Sequence, residues 1–196
     1  MDHLDDSPAA PPSLVRVGGL TRDKLIRTLG DHGVELNAHA STLLEHPMFE
    51  RREPESVHVV TVTLDQIGLP DGGTLPEVFE AAGERGLELC PPDTAPYFRL
   101  AWMSQPNAPD SVLSAGRSPA GAVKVAAAPL RIEVEFPKGF YLRVVDHQRW
   151  LRGYRCDDEY AFTAEDRFVF RAAPKRHSRP MAELRHRRGQ SPMSAI

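Results

Sequence analysis

Arginine and aromatic side chains are concentrated in one stretch of the chain, residues 136–171. Guanidinium groups bind phosphates and carboxylates through paired hydrogen bonds, and tyrosine and tryptophan rings add contact area at binding surfaces. The chemistry that these residue types favour is therefore recognition of an anionic ligand or of a partner protein. The candidate binding residues in this stretch are Tyr141, Arg143, Trp150, Arg152 and Tyr154.

A β-hairpin is predicted to position these five side chains. Aromatic and branched residues alternate with polar ones over residues 140–146 and 149–154, which is the period of a half-buried strand. A turn at His147 and Gln148 would close the hairpin, and a slip of one residue would exchange its two faces. The predicted pairs are Val145 with Trp150, Arg143 with Arg152, and Tyr141 with Tyr154. The predicted core face carries Phe140, Leu142, Val144 and Leu151.

A closing strand over residues 167–171 is predicted to turn its phenylalanines inward and its arginines outward. Arg167 and Arg171 would then join Arg143 and Arg152 on one outer surface. Like charges directly opposite each other on neighbouring strands are unfavourable without a partner. That partner is either an anionic ligand or a group of internal carboxylates, since surface arginine–carboxylate networks are common. The nearby carboxylates are Asp157, Asp158, Glu159 and Asp166.

Arg99 is a sixth candidate binding residue. It stands within the apolar run YFRLAWM at residues 97–103, which we predict to be a strand. A charged residue inside such a run indicates an acidic partner or a position facing a pocket. A long loop predicted over residues 104–121, rich in Pro, Ser, Gly and Asn, would border that pocket.

The remaining pattern predicts an α+β fold, with a mostly antiparallel sheet of five to seven strands packed on about three helices. Thr21 and Asn37 are predicted helix caps, and Thr74 with Glu77 forms a capping box. Further strands are predicted over residues 57–64, 122–128 and 130–135. The predicted organisation is a disordered acidic leader at 1–18, a single domain at 19–171 and a disordered basic tail at 172–196.

Composition narrows the class of protein. The net charge of −3 and the pI near 6.2 provide no overall electrostatic attraction to nucleic acid. Cys90 and Cys156 form neither a disulfide framework nor a zinc site, which favours reduced thiols and a cytoplasmic location. No apolar run reaches the length of a membrane span, and the first residues lack a signal peptide. We therefore predict a soluble cytoplasmic protein without membrane contact.

Motifs for catalysis, metals and cofactors are missing from the sequence. Gly72 and Gly73 precede a predicted helix but lack the lysine and the spacing of a phosphate-binding loop. The eight histidines are scattered, whereas zinc needs three or four convergent ligands. The sequence therefore predicts no metal and no cofactor, and it assigns no catalytic residue.

Two segments resemble a family of small uncharacterised bacterial proteins: GLELCPPDTAPYFRLAW at residues 86–102, and residues 136–170. That family is similar in having a Gly-Leu-x-Leu-Cys-Pro segment, a Trp-Leu hairpin and a closing Phe-Val-Phe strand. Its members are sometimes labelled "helicase", although this chain has no Walker motif. The resemblance implies an α+β domain over residues 19–171 and no catalytic residues.

Three functions remain open from the sequence. The first is a small binding or accessory protein whose arginine–aromatic hairpin face engages a protein partner or an anionic small molecule. The second is nucleic-acid binding, with bases stacked on that face and the basic tail reaching phosphates. The third is an enzyme acting on a small anionic metabolite, in a pocket between Arg99, the 104–121 loop and the hairpin.

Overall fold

A mixed β-sheet forms the centre of the fold in the computed structural model, which describes residues 10–50, 52–109 and 117–172. Predictions for residues 1–9, 110–116 and 173–196, which include most of the basic tail, lie outside the described residues. The strands are β1 (Leu14–Val17), β2 (Val34–Leu36), β3 (Glu55–Thr63), β4 (Gly73–Thr74), β5 (Leu87–Glu88), β6 (Val123–Val125), β7 (Gly139–Val145), β8 (Gln148–Tyr154), β9 (Ala161–Phe162) and β10 (Arg167–Ala172). The helices are α1 (Arg22–Asp31), α2 (Ala38–Leu44), α3 (Leu75–Glu84) and α4 (Thr94–Ala101). None of these helices is long and apolar enough to cross a membrane.

The sheet has the strand order β1-β3-β10-β6-β7-β8-β2, with β5 beside β10, and β4 pairs separately with β9. The predicted α+β class is confirmed. The predicted mostly antiparallel pairing needs correction, because β10 with β6 and β8 with β2 are parallel pairs. The described residues also contain four α-helices, not three. Parallel pairing needs a crossover connection, and the sequence pattern did not indicate which distant strands would be joined.

Local capping signals explain where three helices begin. Thr21 Oγ1 accepts a hydrogen bond from the Lys24 amide, and Thr74 with Glu77 forms the predicted capping box at α3. Asn37 caps α2 by accepting from the Ala40 amide at 2.9 Å. The same Asn37 side chain also exchanges two hydrogen bonds with the backbone of Gly153, so this cap ties α2 to β8.

The strand predicted over residues 97–103 is wrong, because residues 97–101 belong to helix α4 and Trp102 caps its end. Tyr97, Phe98 and Arg99 are all buried, so the run shows neither the alternation of a strand nor the exposed stripe of a surface helix. A short apolar run of this kind cannot be assigned by period alone. Pro96 in the first turn and Asp93 before the helix were the available local signals.

Two further predictions about strands change. Residues 130–135 form no strand, and Ile132 is 92% exposed there. β1 lies within residues 1–18, which the sequence predicts as a leader, and it pairs with β3 in antiparallel register. Residues 14–17 form a strand because they pair with β3, whereas residues 130–135 are not paired in this way.

The sheet buries both faces. The helical face packs against α1, α2 and α4, with core residues that include Leu29, Leu44, Phe98, Leu142 and Val169. The cavity face packs against α3 and the β4–β9 pair, with core residues that include Val78, Phe162, Phe168 and Phe170. These two names are used below.

Candidate anion-binding site

The β7–β8 hairpin has its turn one residue earlier than predicted, at Asp146 and His147. Both residues have positive φ, 50° and 60°, as a two-residue type I′ turn requires. The His147 amide is fixed by donating to Asn107 Oδ1 at 2.9 Å. The predicted pairs are therefore wrong. The observed pairs are Val145 with Gln148, Arg143 with Trp150, and Tyr141 with Arg152.

This correction leaves the faces of the hairpin as predicted. Moving the turn by one residue changes each pairing partner by two positions, and side chains alternate with a period of two. Tyr141, Arg143, Trp150, Arg152 and Tyr154 consequently still share one face, which is the cavity face. Phe140, Leu142 and Leu151 lie in the core of the helical face.

The predicted outer surface is largely covered. Arg143 is 0% exposed and Tyr141 is 8% exposed, whereas Trp150, Arg152 and Tyr154 are half-buried. The Nε of Arg143 donates to the Ala120 carbonyl at 2.8 Å. The hairpin face is therefore the wall of an enclosed region and not a flat exposed platform.

Arg167 and Arg171 do not join this face. Phe168 and Phe170, which alternate with them on β10, belong to the core of the cavity face. The two arginines must then point to the opposite side of the sheet. Arg171 faces Glu88 there, with Nε 3.7 Å from the carboxylate. The predicted surface of four arginines is wrong for this reason.

Arg99 lies on the helical face, apart from the other candidates. Its side chain is fully buried and donates to Gln105 Oε1 and to the Trp102 carbonyl. Gln105 in turn donates to the carbonyls of Gly121 and Leu142. The loop and the hairpin, which were predicted to form a pocket with Arg99, do meet at this residue. They are joined there by the hydrogen bonds of Gln105. Burial and the nearby Arg149 lower the pKa of Arg99 to about 10.

The strand registers place a row of side chains across the cavity face. Lys124 on β6 pairs with Phe168 on one side and with Tyr141 on the other, and Tyr141 pairs with Arg152. The Nζ of Lys124 forms an ion pair with Asp166 Oδ1 at 2.8 Å. Asp166, which the sequence suggested as an internal partner for the arginines, is thus bound to a lysine instead.

Beside this row lies a cavity of about 320 Å³, within the usual range for small-molecule sites. It is bounded by the hairpin, the start of α2, the segment that precedes β6, and the β8–β9 connection. Its lining residues are Asn37, His39, Arg117, Ser118, Pro119, Ala122, Lys124, Tyr141, Arg152, Gly153, Tyr154, Arg155, Tyr160 and Phe162.

None of the described residues that line this basic cavity carries a carboxylate. Since Asp166 balances Lys124, the guanidinium groups of Arg117, Arg152 and Arg155 leave the cavity with a surplus of positive charge. A second cavity of about 340 Å³ is mainly apolar and includes Asp158 beside its basic residues. The basic cavity is therefore the one whose charge is not balanced by its own lining.

Arg152 is the guanidinium most directly prepared for a ligand. Its Cζ lies 4.7 Å from the centre of the Trp150 ring, a cation–π contact that holds the side chain along the strand. Its Nε is buried and has no hydrogen-bond partner among the described residues. A buried donor without a partner is unfavourable by about 1–3 kcal/mol, so an acceptor that reached Nε would be bound favourably.

Three tyrosines add protonated hydroxyl groups. Burial raises the pKa of Tyr141, with Arg152 and Arg143 opposing the change. Burial also raises the pKa of Tyr154 and of Tyr160, the latter opposed by a hydrogen bond with Ser118. At neutral pH these hydroxyls keep their protons and can donate hydrogen bonds to an anion, while their rings offer apolar contact.

The two cysteines and the possible metal ligands do not form a reactive site among the described residues. Burial raises the pKa of Cys90 to about 12 and that of Cys156 to about 11, so neither is a reactive thiolate at neutral pH. Within residues 10–50, 52–109 and 117–172, no three His, Cys, Asp or Glu side chains converge as metal ligands.

Sequence reasoning missed Lys124, Tyr160 and Phe162, and it named Asp166 only as a carboxylate close to the arginines. A signal for Lys124 was present, because it is a charged residue within the apolar segment AVKVA, as Arg99 is within its own run. Its ion pair with Asp166 joins residues 42 positions apart, so the partner was not readable locally.

Comparison of the chain with known protein families, with curated proteins and with solved structures finds no match. The resemblance to a small bacterial family therefore stays a prediction.

Proposed function

We propose that the protein is a small-molecule binding protein whose ligand is a compact organic anion, a phosphate or carboxylate with an apolar or aromatic body. The ligand occupies the basic cavity, where Arg152 binds the anionic group. The observation that carries this proposal is the buried Nε of Arg152, which has no hydrogen-bond partner in the part of the chain that the structure describes and lies at a cavity whose described lining holds no carboxylate.

The character of the lining supports an acceptor-rich ligand. Arginine and lysine side chains offer only donors, and Asn37 already uses its amide on the backbone of Ala40 and Gly153. An anion with several oxygens supplies the acceptors that these donors lack. The Tyr154 and Phe162 rings, whose centres are 6.3 Å apart in an edge-to-face arrangement, provide the apolar contact for the rest of the ligand.

Burial favours a small ligand over a protein partner or a nucleic acid. Arg143 and Tyr141, which were expected to form an exposed binding face, are almost inaccessible from the surface. Base stacking on this face would require exposed rings. A ligand that enters the cavity needs no such platform.

The test is calorimetric titration with phenyl phosphate, which combines a dianion with one aromatic ring, and with phenol as the uncharged control. We expect phenyl phosphate to bind and phenol not to bind. Replacing Arg152 by Ala should weaken binding about 10- to 100-fold, since hydrogen bonds to a charged group contribute about 1.5–3 kcal/mol.

Arg167→Ala is the matched control, because Arg167 is an exposed arginine of the same sheet that lies on the opposite face. Equal affinity of wild type and Arg152→Ala, or equal losses in the two variants, would contradict the proposal. Circular dichroism spectra of both variants check that the fold is retained.

A further inference from the structure

Four of the 24 lysine and arginine residues in this chain are lysines: Lys24, Lys124, Lys138 and Lys175. Lys124 is only 3% exposed and lines the basic cavity. Unlike arginine, a lysine can lose its proton in a protein and act as a nucleophile. The position of Lys124 therefore permits chemistry that the cavity's arginines cannot perform.

The amine of Lys124 is held in a defined place. Its Nζ lies 2.8 Å from Asp166 Oδ1, 5.0 Å from the centre of the Phe162 ring and 5.3 Å from that of Phe168. Asp166 is itself fixed, because its Oδ2 accepts from the Thr163 amide at 2.8 Å. A carboxylate that cannot move away is well placed to take a proton from the amine and to return it.

Burial also weakens the ammonium form. Removal from water lowers the pKa of Lys124, and the charge of Asp166 opposes this change without cancelling it. Lys138 is a useful contrast, since its Nζ is buried in another part of the fold and donates to the carbonyls of Ile132 and Glu133. Lys138 has neither a carboxylate partner in these contacts nor a place in the basic cavity.

We propose that Lys124 binds covalently, as an imine, the carbonyl group of a small phosphorylated aldehyde held in the basic cavity. This inference rests on the proposed function, because the arginines must first retain the phosphate. It adds that the ligand is an aldehyde and that Lys124 is its attachment point.

The reaction needs no further reagent. Asp166 accepts a proton from the Lys124 ammonium, and the freed amine nitrogen adds to the aldehyde carbon to form a carbinolamine. Asp166 then returns a proton to the carbinolamine oxygen, which leaves as water while the carbon–nitrogen double bond forms. Of the three ammonium protons, two leave in the water and one remains on the iminium nitrogen. That iminium keeps one positive charge opposite the Asp166 carboxylate.

The experiment treats the full-length protein with 4-formylphenyl phosphate, reduces the imine with sodium borohydride and maps the modified lysine by mass spectrometry. We expect the stable adduct on Lys124, with Lys24 and Lys138 unmodified at the same aldehyde concentration. Phenyl phosphate, which lacks the aldehyde, should compete and suppress the adduct. This protection step needs no variant and so does not depend on a mutant folding.

Lys124→Arg is the decisive variant, since it retains a cation opposite Asp166 but cannot form an imine. It should lose the adduct, while the control Lys24→Arg should keep both the adduct and the affinity for phenyl phosphate. Binding of phenyl phosphate without trapping at Lys124, or with equal trapping at Lys24, would overturn this inference and leave the anion-binding function standing. Absence of phenyl phosphate binding together with absence of the Lys124 adduct would overturn both.

Discussion

Arg99 on the helical face and Lys124 on the cavity face are both buried cations, and they differ in their partners. Arg99 on the helical face is enclosed by neutral oxygens of its own loop, those of Gln105 and Trp102. Lys124 on the cavity face has a carboxylate partner and borders an open volume that contains further guanidinium groups. A buried charge by itself therefore does not mark a binding site. The difference is what surrounds the cation: packed neutral groups at Arg99, and a cavity with further guanidinium groups at Lys124.

The Lys124–Asp166 ion pair should have the largest effect on stability when broken. We expect Lys124→Met to lower the free energy of unfolding by about 3–5 kcal/mol, because Asp166 would remain buried without a counter-charge. Urea denaturation followed by circular dichroism measures this change. The double variant Lys124→Met/Asp166→Asn removes the stranded charge, so it should be more stable than the single variant. A double variant that is the less stable of the two would show that the pair acts by packing and not by charge.

Arg99 on the helical face should show a smaller effect and no effect on binding. Replacement by Met removes two charged hydrogen bonds but also removes the cost of burying a guanidinium group, so we expect a net loss of about 1.5–3 kcal/mol in the free energy of unfolding. Titration of the folded variant with phenyl phosphate should give the wild-type affinity. If Arg99→Met unfolded like wild type but bound phenyl phosphate weakly, the assignment of ligand binding to the cavity face alone would be wrong.

Gly153 tests whether packing on the helical face positions the cavity. A Cβ at this position would lie 2.6 Å from the His39 carbonyl carbon and 2.7 Å from the Ala40 nitrogen, so α2 would have to move. We expect Gly153→Ala to destabilise the protein by about 1–3 kcal/mol, as overpacking does. Because Asn37 and His39 at the start of α2 line the cavity, binding of phenyl phosphate should weaken as well. Gly30→Ala, where a Cβ meets nothing within 4 Å, is the control.

Glu77 should have the smallest effect, and the effect should depend on pH. Hydrogen bonds from the amide and hydroxyl of Thr74 lower the pKa of Glu77 from its usual 4.5. A carboxylate whose pKa is lowered by folding stabilises the folded state above its unfolded pKa, and this contribution is lost as pH falls through the folded value. Thermal unfolding of wild type minus Glu77→Gln should therefore show a difference at pH 7 that shrinks as the pH falls below the usual carboxyl value of 4.5 and is lost through the lowered pKa of the folded state.

The same substitution should leave ligand affinity unchanged, because the α3 capping box is a local feature away from the basic cavity. Glu80→Gln removes the same charge from the same helix without touching Thr74, and it should not reproduce the loss at pH 7. Equal behaviour of the two variants would mean that net charge, and not the cap, sets the difference.

Much of the local structure could be predicted from the sequence. The caps at Thr21 and Asn37 and the capping box at Thr74 depend on residues three or four positions apart, so their signals are contained in short segments. The sharing of one hairpin face by five candidate residues was also correct, since alternation survives a shift of two in register. The turn itself was misplaced, because Asp146 and His147 adopt positive φ without the glycine that usually signals it.

The candidate site was only partly predictable. Tyr141, Arg152 and Tyr154 were identified and do line the basic cavity, whereas Arg99 lies on the other face of the sheet. Arg143 and Trp150 share the predicted face without being among the residues that line the cavity. The pairing of Lys124 with Asp166 was not predicted, because the two residues lie 42 positions apart and each gains its role only from the other.

The local choices are therefore contained in the sequence pattern: where helices start, which residues alternate along the hairpin, and which residue types could bind an anion. How distant segments meet is a property of the tertiary structure. The bonds of Asn37 to Gly153 span 116 residues, and the pairing of β6 between β7 and β10 creates the row that holds Lys124. Short-range preferences are set by neighbouring atoms in the chain, whereas burial and the enclosure of charge depend on long-range packing, which a local pattern does not contain.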